Sequence, residues 1–170
     1  HPKDGAARFA SEVASVPVIN GGDGAGQHPS QTLLDLFTIR ESMPIENIDV
    51  GLQGDLRYGR TVHSLAFALS KYHDVRIHTI APEGLDLPTH LKQDLADAGC
   101  EVIVHDTIED TLPELDVLYV TRLQRERFPD QAAFASFAAT YRITPELLSR
   151  AKPSMIVLHP LPRVDEIDPA

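Results

Sequence analysis

Ile48-Asp49-Val50-Gly51-Leu52-Gln53-Gly54-Asp55-Leu56-Arg57-Tyr58-Gly59-Arg60-Thr61 is the stretch whose reading decides the fold. It starts as a short apolar run, breaks at glycine, passes through polar residues and enters an apolar-periodic segment over about 59–71. That is a strand, a loop and a helix. The unit repeats downstream. Strands are expected at 48–53, 75–80, 101–104, 117–120 and 155–158. Helices are expected at about 59–71, 88–98, 107–112, 130–139 and 145–151. Thr144-Pro145 supplies a capping hydroxyl followed by proline at the first helical position. Strands alternating with helices specify βαβ units. The expected fold class is therefore α/β: a doubly wound parallel sheet with helices on both faces, Rossmann-like without a dinucleotide.

Upstream, residues 4–14 carry Ala, Phe and Val at helical spacing, and 16–19 read as a short apolar strand. A glycine-rich loop follows over 21–26. Ser30 is placed to cap a helix over about 31–43, with Leu33, Leu36, Phe37 and Arg40 as its core stripe and Pro44 behind it. The resulting division is 1–29 as the end of one domain, 30–43 as a connecting helix and 44–170 as a second, complete domain. The chain opens on His1-Pro2 and stops at Asp168-Pro169-Ala170, which reads as a piece of a longer polypeptide.

Composition narrows the function classes. The 170 residues are 42% hydrophobic, enough for one α/β domain with a core. The net charge is −10, with no basic stripe, which argues against nucleic acid as a partner. No apolar run approaches the roughly 18–20 residues that span a bilayer, so no membrane partner is expected. No secretory signal is visible. Cys100 is the single cysteine, so neither an internal disulfide nor a thiolate metal cage is available; it reads as a small core residue. These features fit a cytoplasmic protein.

Ligands of open parallel sheets bind beyond the carboxyl ends of the strands. Four of the six expected strand ends carry polar or cationic groups, and three carry arginine. They are Gln27-His28-Pro29-Ser30-Gln31, Gly54 to Thr61, Thr121-Arg122-Leu123-Gln124, and His159-Pro160-Leu161-Pro162-Arg163. Guanidinium forks suit carboxylate and phosphate, so the pattern points to a small, multiply anionic ligand. Each residue also has a plainer reading. His28 can be a turn residue with Gln31 solvated, Arg60 a surface helix residue, and Arg122 part of a solvated cluster with Arg125 and Arg127. His159-Pro160-Leu161-Pro162 is harder to explain away, because two prolines around one leucine stiffen the loop. Gly54-x4-Gly59-Arg60-Thr61 misses a phosphate-binding P-loop by an arginine where lysine belongs. No GxGxxG, no G-x-S-x-G and no histidine spacing suited to a metal is present, so no metal site is expected.

Taken together, four motifs in order resemble the aspartate carbamoyltransferase family. They are Gly22-Asp23-Gly24 with Gln27-His28-Pro29-Ser30-Gln31-Thr32-Leu33-Leu34-Asp35-Leu36-Phe37-Thr38-Ile39; Gly54 to Leu65; Tyr119-Val120-Thr121-Arg122-Leu123-Gln124-Arg125-Glu126-Arg127-Phe128; and His159 to Ile167. The resemblance runs from His1 to the end. The sister ornithine carbamoyltransferases have cysteine where this chain has Pro160, and a Ser-Met-Gly loop that is absent here.

The resemblance implies transfer of the carbamoyl group of carbamoyl phosphate to the amine of L-aspartate, in de novo pyrimidine synthesis. It implies that His28 stabilises the developing oxyanion. Gln31 and the carbonyls of Pro160 and Leu161 would hold the carbamoyl NH2, with Leu161–Pro162 a cis peptide. Arg60 would grip the aspartate α-carboxylate, and Arg122 with Gln124 the β-carboxylate. The resemblance implies no metal or organic cofactor, a homotrimer of full-length catalytic chains, and room for a regulatory chain. Residues 1–29 would end the carbamoyl phosphate domain and 44–170 would form the aspartate domain. The family's Ser-Thr-Arg-Thr phosphate motif and the lysine loop given by a neighbouring subunit are absent, so the chain alone is expected to be inactive. The alternatives are another amino-acid carbamoyltransferase, of ornithine type for example, or a non-catalytic piece that binds aspartate or serves in assembly.

Overall fold

A computed structural model describes residues 1–123 and 131–168. Five parallel strands form one sheet: β1 (Asp49–Gln53), β2 (Arg76–Ile80), β3 (Glu101–His105), β4 (Val117–Val120) and β5 (Ile156–Leu158), in the order β3-β2-β1-β4-β5. The chain winds outward from β1 to β3, then returns to place β4 on the other side of β1. The order therefore reverses between β1 and β4. Their carboxyl ends diverge there and open a crevice. β1 and β4 are buried along their whole length, and β4 accordingly reads as a continuous apolar run rather than an alternating one.

Helices α1 (Ala6–Val13) and α2 (Pro29–Ser42) precede the sheet. Helices α3 (Arg60–Leu69) and α4 (Thr89–Asp97) link β1 to β2 and β2 to β3. One core, on the side of α2, α3 and α4, joins Ile39, Val62, Leu65, Leu69, Leu91 and Leu95 to Val50, Leu52 and Ile77 of the sheet. The opposite core joins Ile80, Leu118 and Val120 to Ile108, Leu112, Leu115 and Ile143. Leu147 and Leu148 of α6 (Pro145–Leu148) pack against that second core. α5 (Gln131–Thr140) lies between β4 and α6 in the chain. Thr144 caps α6 by accepting the Leu147 N–H, with Pro145 at the first position.

Three local expectations fail. Residues 16–19 form no strand; Val16 and Ile19 are 67% and 86% exposed, because an apolar run becomes a strand only beside a partner ladder and none of the described strands flanks it. Residues 107–112 form turns closed by Ile108, whose carbonyl accepts from Thr111 and Leu112, and Pro113 stops the winding after one turn. In α2 the buried stripe is Thr32, Asp35 and Ile39, not the expected one. Leu33 and Phe37 are 70% and 54% exposed, Arg40 is exposed, and Leu36 is half-buried. The helix also begins two residues earlier than a Ser30 cap requires. Pro29 holds its first position, so His28 becomes the cap.

Candidate active site

The crevice between β1 and β4 widens into a cleft of about 400 Å³. His28, Gln31, Arg60, Arg122, His159, Pro160, Leu161 and Pro162 all line it. The structure thus brings together every expected site residue within its described part; Gln124 lies outside the described residues. Among the described residues, two guanidinium groups face the cleft against one carboxylate, Asp55. Helices α2 and α3 both begin there, placing the positive ends of their dipoles at the cleft. The local field favours an anion.

His28 has its chemistry fixed by its place as the cap. Its Nδ1 accepts the Gln31 N–H at 3.3 Å. Burial, and then the nearby Arg60 charge, lower its pKa, which favours the neutral ring. A neutral imidazole that accepts at Nδ1 carries its proton on Nε2. The hydrogen-bond network therefore makes His28 a donor through Nε2–H.

Gln31 is oriented in the same way. Its Nε2 donates to Asp35 Oδ1 at 2.9 Å, leaving Oε1 as the acceptor of the amide. Asp35 Oδ2 in turn accepts from the Tyr119 hydroxyl at 2.9 Å. Burial raises the Asp35 pKa against the opposing pull of those two hydrogen bonds. Burial and the Asp35 charge raise that of Tyr119. Neither residue was singled out from the sequence. The signals were an amide and a carboxylate four apart on one helix, and a buried tyrosine that needs a partner for its hydroxyl.

Arg60 is the first residue of α3, and its guanidinium lies against the glycine-rich loop. Its Nη1 donates to the Gly24 carbonyl at 3.4 Å. A Cβ on Gly22 would stand 2.7 Å from Arg60 Cζ, and Gly22 holds φ +112°. Asp23 fixes this loop by accepting from Asn20 Nδ2, the Gln27 N–H and the Gly5 N–H, at 3.1, 3.1 and 2.9 Å. The Asn20 bond leads in lowering its pKa despite burial. His63 ties the loop to α3 through Nδ1, 3.1 Å from the Ala25 carbonyl, and Nε2, 2.9 Å from that of Leu56. Ser64 Oγ accepts the His28 N–H at 2.8 Å and donates to Gln27 Oε1.

The opposite wall comes from the loops after β4 and β5. Thr121 is buried, and its N–H and hydroxyl both donate to the Gln53 carbonyl, at 2.8 and 3.0 Å. Arg122 stands exposed beyond it. His159 Nδ1 accepts the Leu161 N–H at 2.8 Å. Its Nε2 is 2.7 Å from Glu166 Oε1, close but off the hydrogen-bond axis. Burial lowers the His159 pKa while Glu166 pulls the other way. The Leu161–Pro162 peptide is cis.

The family model for the aspartate/ornithine carbamoyltransferase Asp/Orn-binding domain matches residues 46–170. This chain belongs to the aspartate/ornithine carbamoyltransferase family. The model for that family's carbamoyl-P binding domain matches residues 1–41. The aspartate carbamoyltransferase catalytic subunit of Methanocorpusculum labreanum is 83% identical over 170 residues, covering all of this chain and 56% of the relative. The solved catalytic subunit of M. jannaschii aspartate transcarbamoylase superposes with a TM-score of 0.90 at 47% identity, over 99% of this chain and 55% of that one. Trypanosoma cruzi aspartate transcarbamoylase, solved with carbamoyl aspartate and phosphate, gives 0.85 at 36% identity, over 99% and 53%. The chain spans about half the length of the carbamoyltransferases it matches.

Proposed function

We propose that this chain supplies the aspartate side and the carbamoyl-holding half of a carbamoyl phosphate:L-aspartate carbamoyltransferase. The observation that carries the reading is the meeting of His28, Gln31, Arg60, Arg122 and Pro160–Pro162 in one cleft at the β1–β4 switch point. A relative solved with carbamoyl aspartate and phosphate shares this fold over nearly the whole chain.

In this reading the substrate amine attacks the carbamoyl carbon, a C–N bond forms, the amine loses a proton and the C–O bond to phosphate breaks. His28 Nε2–H donates to the carbamoyl oxygen as negative charge builds on it. Gln31 Oε1 accepts from the carbamoyl NH2, together with the carbonyls of Pro160 and Leu161. Arg60 and Arg122 each hold one carboxylate of aspartate, with Gln124 beside Arg122. Two fixed carboxylates aim the amine, and positioning supplies much of the rate. Residues 1–29, 30–43 and 44–170 serve as the end of the carbamoyl phosphate domain, the connecting helix and the aspartate domain. The working enzyme is a cytoplasmic homotrimer of full-length catalytic chains, open to a regulatory chain.

The test is product formation by the full-length protein that contains this segment, with L-aspartate and L-ornithine compared as acceptors. Aspartate is expected to be the acceptor, with His28→Ala losing most of kcat. Preference for ornithine, or an unchanged His28→Ala rate, sinks the reading.

A further inference from the structure

Behind the active-site cleft, at the same carboxyl end of the sheet, lies a second cavity of about 320 Å³. Its principal lining is Gln53, Leu123, Phe134, Ala138, Tyr141 and Val164. It shares only Thr121 and Arg122 with the cleft, and the roles assigned above leave its interior unused.

One buried polar atom in this cavity, Gln53 Oε1, has no partner among the described residues. Gln53 is 1% exposed. Its Nε2 donates to the Tyr141 carbonyl at 2.6 Å, and this fixes the amide, because the flipped form would set two oxygens against each other. Among the described residues, none donates a hydrogen bond to Oε1. The neighbouring Thr121 N–H and hydroxyl are already given to the Gln53 backbone carbonyl. A buried acceptor left this way is unfavourable until something in the cavity donates to it.

The other principal side chains are aliphatic or aromatic, Tyr141 alone bearing a hydroxyl, so the complementary occupant is flat and largely apolar apart from that donor. Arg122 at the rim is outnumbered by Asp165 and Glu166, which disfavours an anion, and the apolar interior disfavours a charge of either sign. We propose that this cavity is a second ligand site, for a small, flat, uncharged molecule that donates one N–H or O–H hydrogen bond to Gln53 Oε1. Arg122 lines both spaces, so the occupant of this site sits beside the proposed aspartate grip.

Indole and 1-methylindole are the probes. They share the flat bicyclic ring and differ by one N-methyl group, and only the first has a donor. Titrated calorimetrically into the full chain with no substrate present, indole is expected to bind about tenfold more tightly, the worth of one net hydrogen bond. Gln53→Leu is expected to erase the preference while retaining both probes. Ala138→Trp, which fills the cavity from α5, is expected to abolish both. Amide NMR spectra establish that each variant is folded, and indole is expected to move the Gln53 side-chain amide resonance in the parent. Equal affinity of the two probes in the parent, binding that survives Ala138→Trp, or no binding of either probe overturns the proposal. None of these readouts depends on carbamoyl transfer, so the proposed reaction can fail while the site stands, and the reverse.

Discussion

On the wall of the cleft built from α2, α3 and the glycine-rich loop, each ligand-facing group is held by another residue. His28 is fixed by its capping bond and by Ser64, Gln31 by Asp35, and Arg60 by the backbone around Gly22 and Gly24. On the wall built from the loops after β4 and β5, Arg122, Leu161 and Pro162 stand in solvent. The first wall is preorganised and the second is open. A rigid wall suits the group whose electrons rearrange, because donors fixed in advance need no reorganisation as charge develops. An exposed arginine suits a substrate that must enter, be gripped and leave as product.

The largest effect that can break this contrast is loss of either arginine. On the proposed reaction, Arg60→Ala and Arg122→Ala in the full-length protein are each expected to lower kcat/KM for aspartate by about 2–5 kcal/mol, roughly 30- to 5,000-fold, as for truncation of one half of a charge pair that the bound substrate desolvates. The two should differ in the other substrate. Arg122→Ala leaves the first wall intact and should leave carbamoyl phosphate binding close to the parent value. Arg60→Ala removes the group that rests on the glycine-rich loop beside His28, so carbamoyl phosphate binding should weaken as well. Equilibrium binding of carbamoyl phosphate to both variants decides the matter; identical losses would mean the walls do not differ as described.

Two glycines sharpen the contrast by stability. Both hold positive φ, +112° at Gly22 and +115° at Gly54. An added Cβ at Gly54 would stand 2.5 Å from the Thr121 carbonyl oxygen, part of the backbone that sets the β1–β4 crevice. At Gly22 it would meet the end of a flexible arginine. Gly54→Ala is expected to cost about 1–3 kcal/mol or more, from strained backbone and a contact that cannot yield. Gly22→Ala should cost less in urea denaturation yet more in aspartate use, because Arg60 moves to make room.

The architecture was legible for a physical reason. Parallel strands buried on both faces leave continuous apolar runs, and Val117–Val120 is such a run. The helix start at Thr144-Pro145 was legible too, whereas the start of α2 was placed two residues late, at a Ser30 cap rather than at His28. The α2 stripe was not. Its buried side carries Thr32 and Asp35 while leucines face out, so hydrophobic periodicity points the wrong way on a helix that buries polar groups for a site. The arginines and His28 could be located because they end strands or begin helices. Asp35, Tyr119 and Ser64 act through other residues, and their pairing spans up to 84 positions, which no local pattern displays.

A carboxylate at the far end of the sheet offers a comparison outside the cleft. Asp49, at the start of β1, accepts from Arg76 at 2.7 and 2.6 Å, and its Oδ1 is 2.8 Å from His78 Nε2. Burial pushes its pKa up, but the hydrogen bonds from Arg76 and His78 and their charges outweigh that, and the result is lowered. A lowered folded-state pKa means the unfolded chain binds the proton more readily. The stabilisation is then complete above the ordinary aspartate range near 4 and is lost as pH falls through the lower folded value. Asp35 has the opposite sign: its raised pKa makes it a growing liability as pH rises through the ordinary range. Asp49→Asn is therefore expected to destabilise the chain at neutral pH, with the deficit shrinking below about pH 4. Urea midpoints of parent and variant across that window check it, and a deficit independent of pH would remove the ionised Asp49 from the account.

The smallest effect tests the preorganised wall at its most remote member. Tyr119 is fully buried, and Phe fits the same space, so Tyr119→Phe removes one hydroxyl and little packing. Its hydrogen bond to Asp35 contributes about 0.5–1.5 kcal/mol net. Asp35 keeps its bond to Gln31 but loses a donor that lowers its pKa, so its proton is held more tightly. A protonated Asp35 is a poorer acceptor for Gln31 Nε2, and the Gln31 amide gains freedom to turn its oxygen away from the cleft. If Oε1 of Gln31 receives the carbamoyl NH2, the loss should fall on carbamoyl phosphate, with KM rising a few-fold, while the dependence on aspartate stays near that of the parent. The rise should grow at lower pH, where Asp35 protonates more fully. A Tyr119→Phe variant that changed aspartate use instead would move Gln31 out of the role given to it and leave Asp35 as a packing residue of α2.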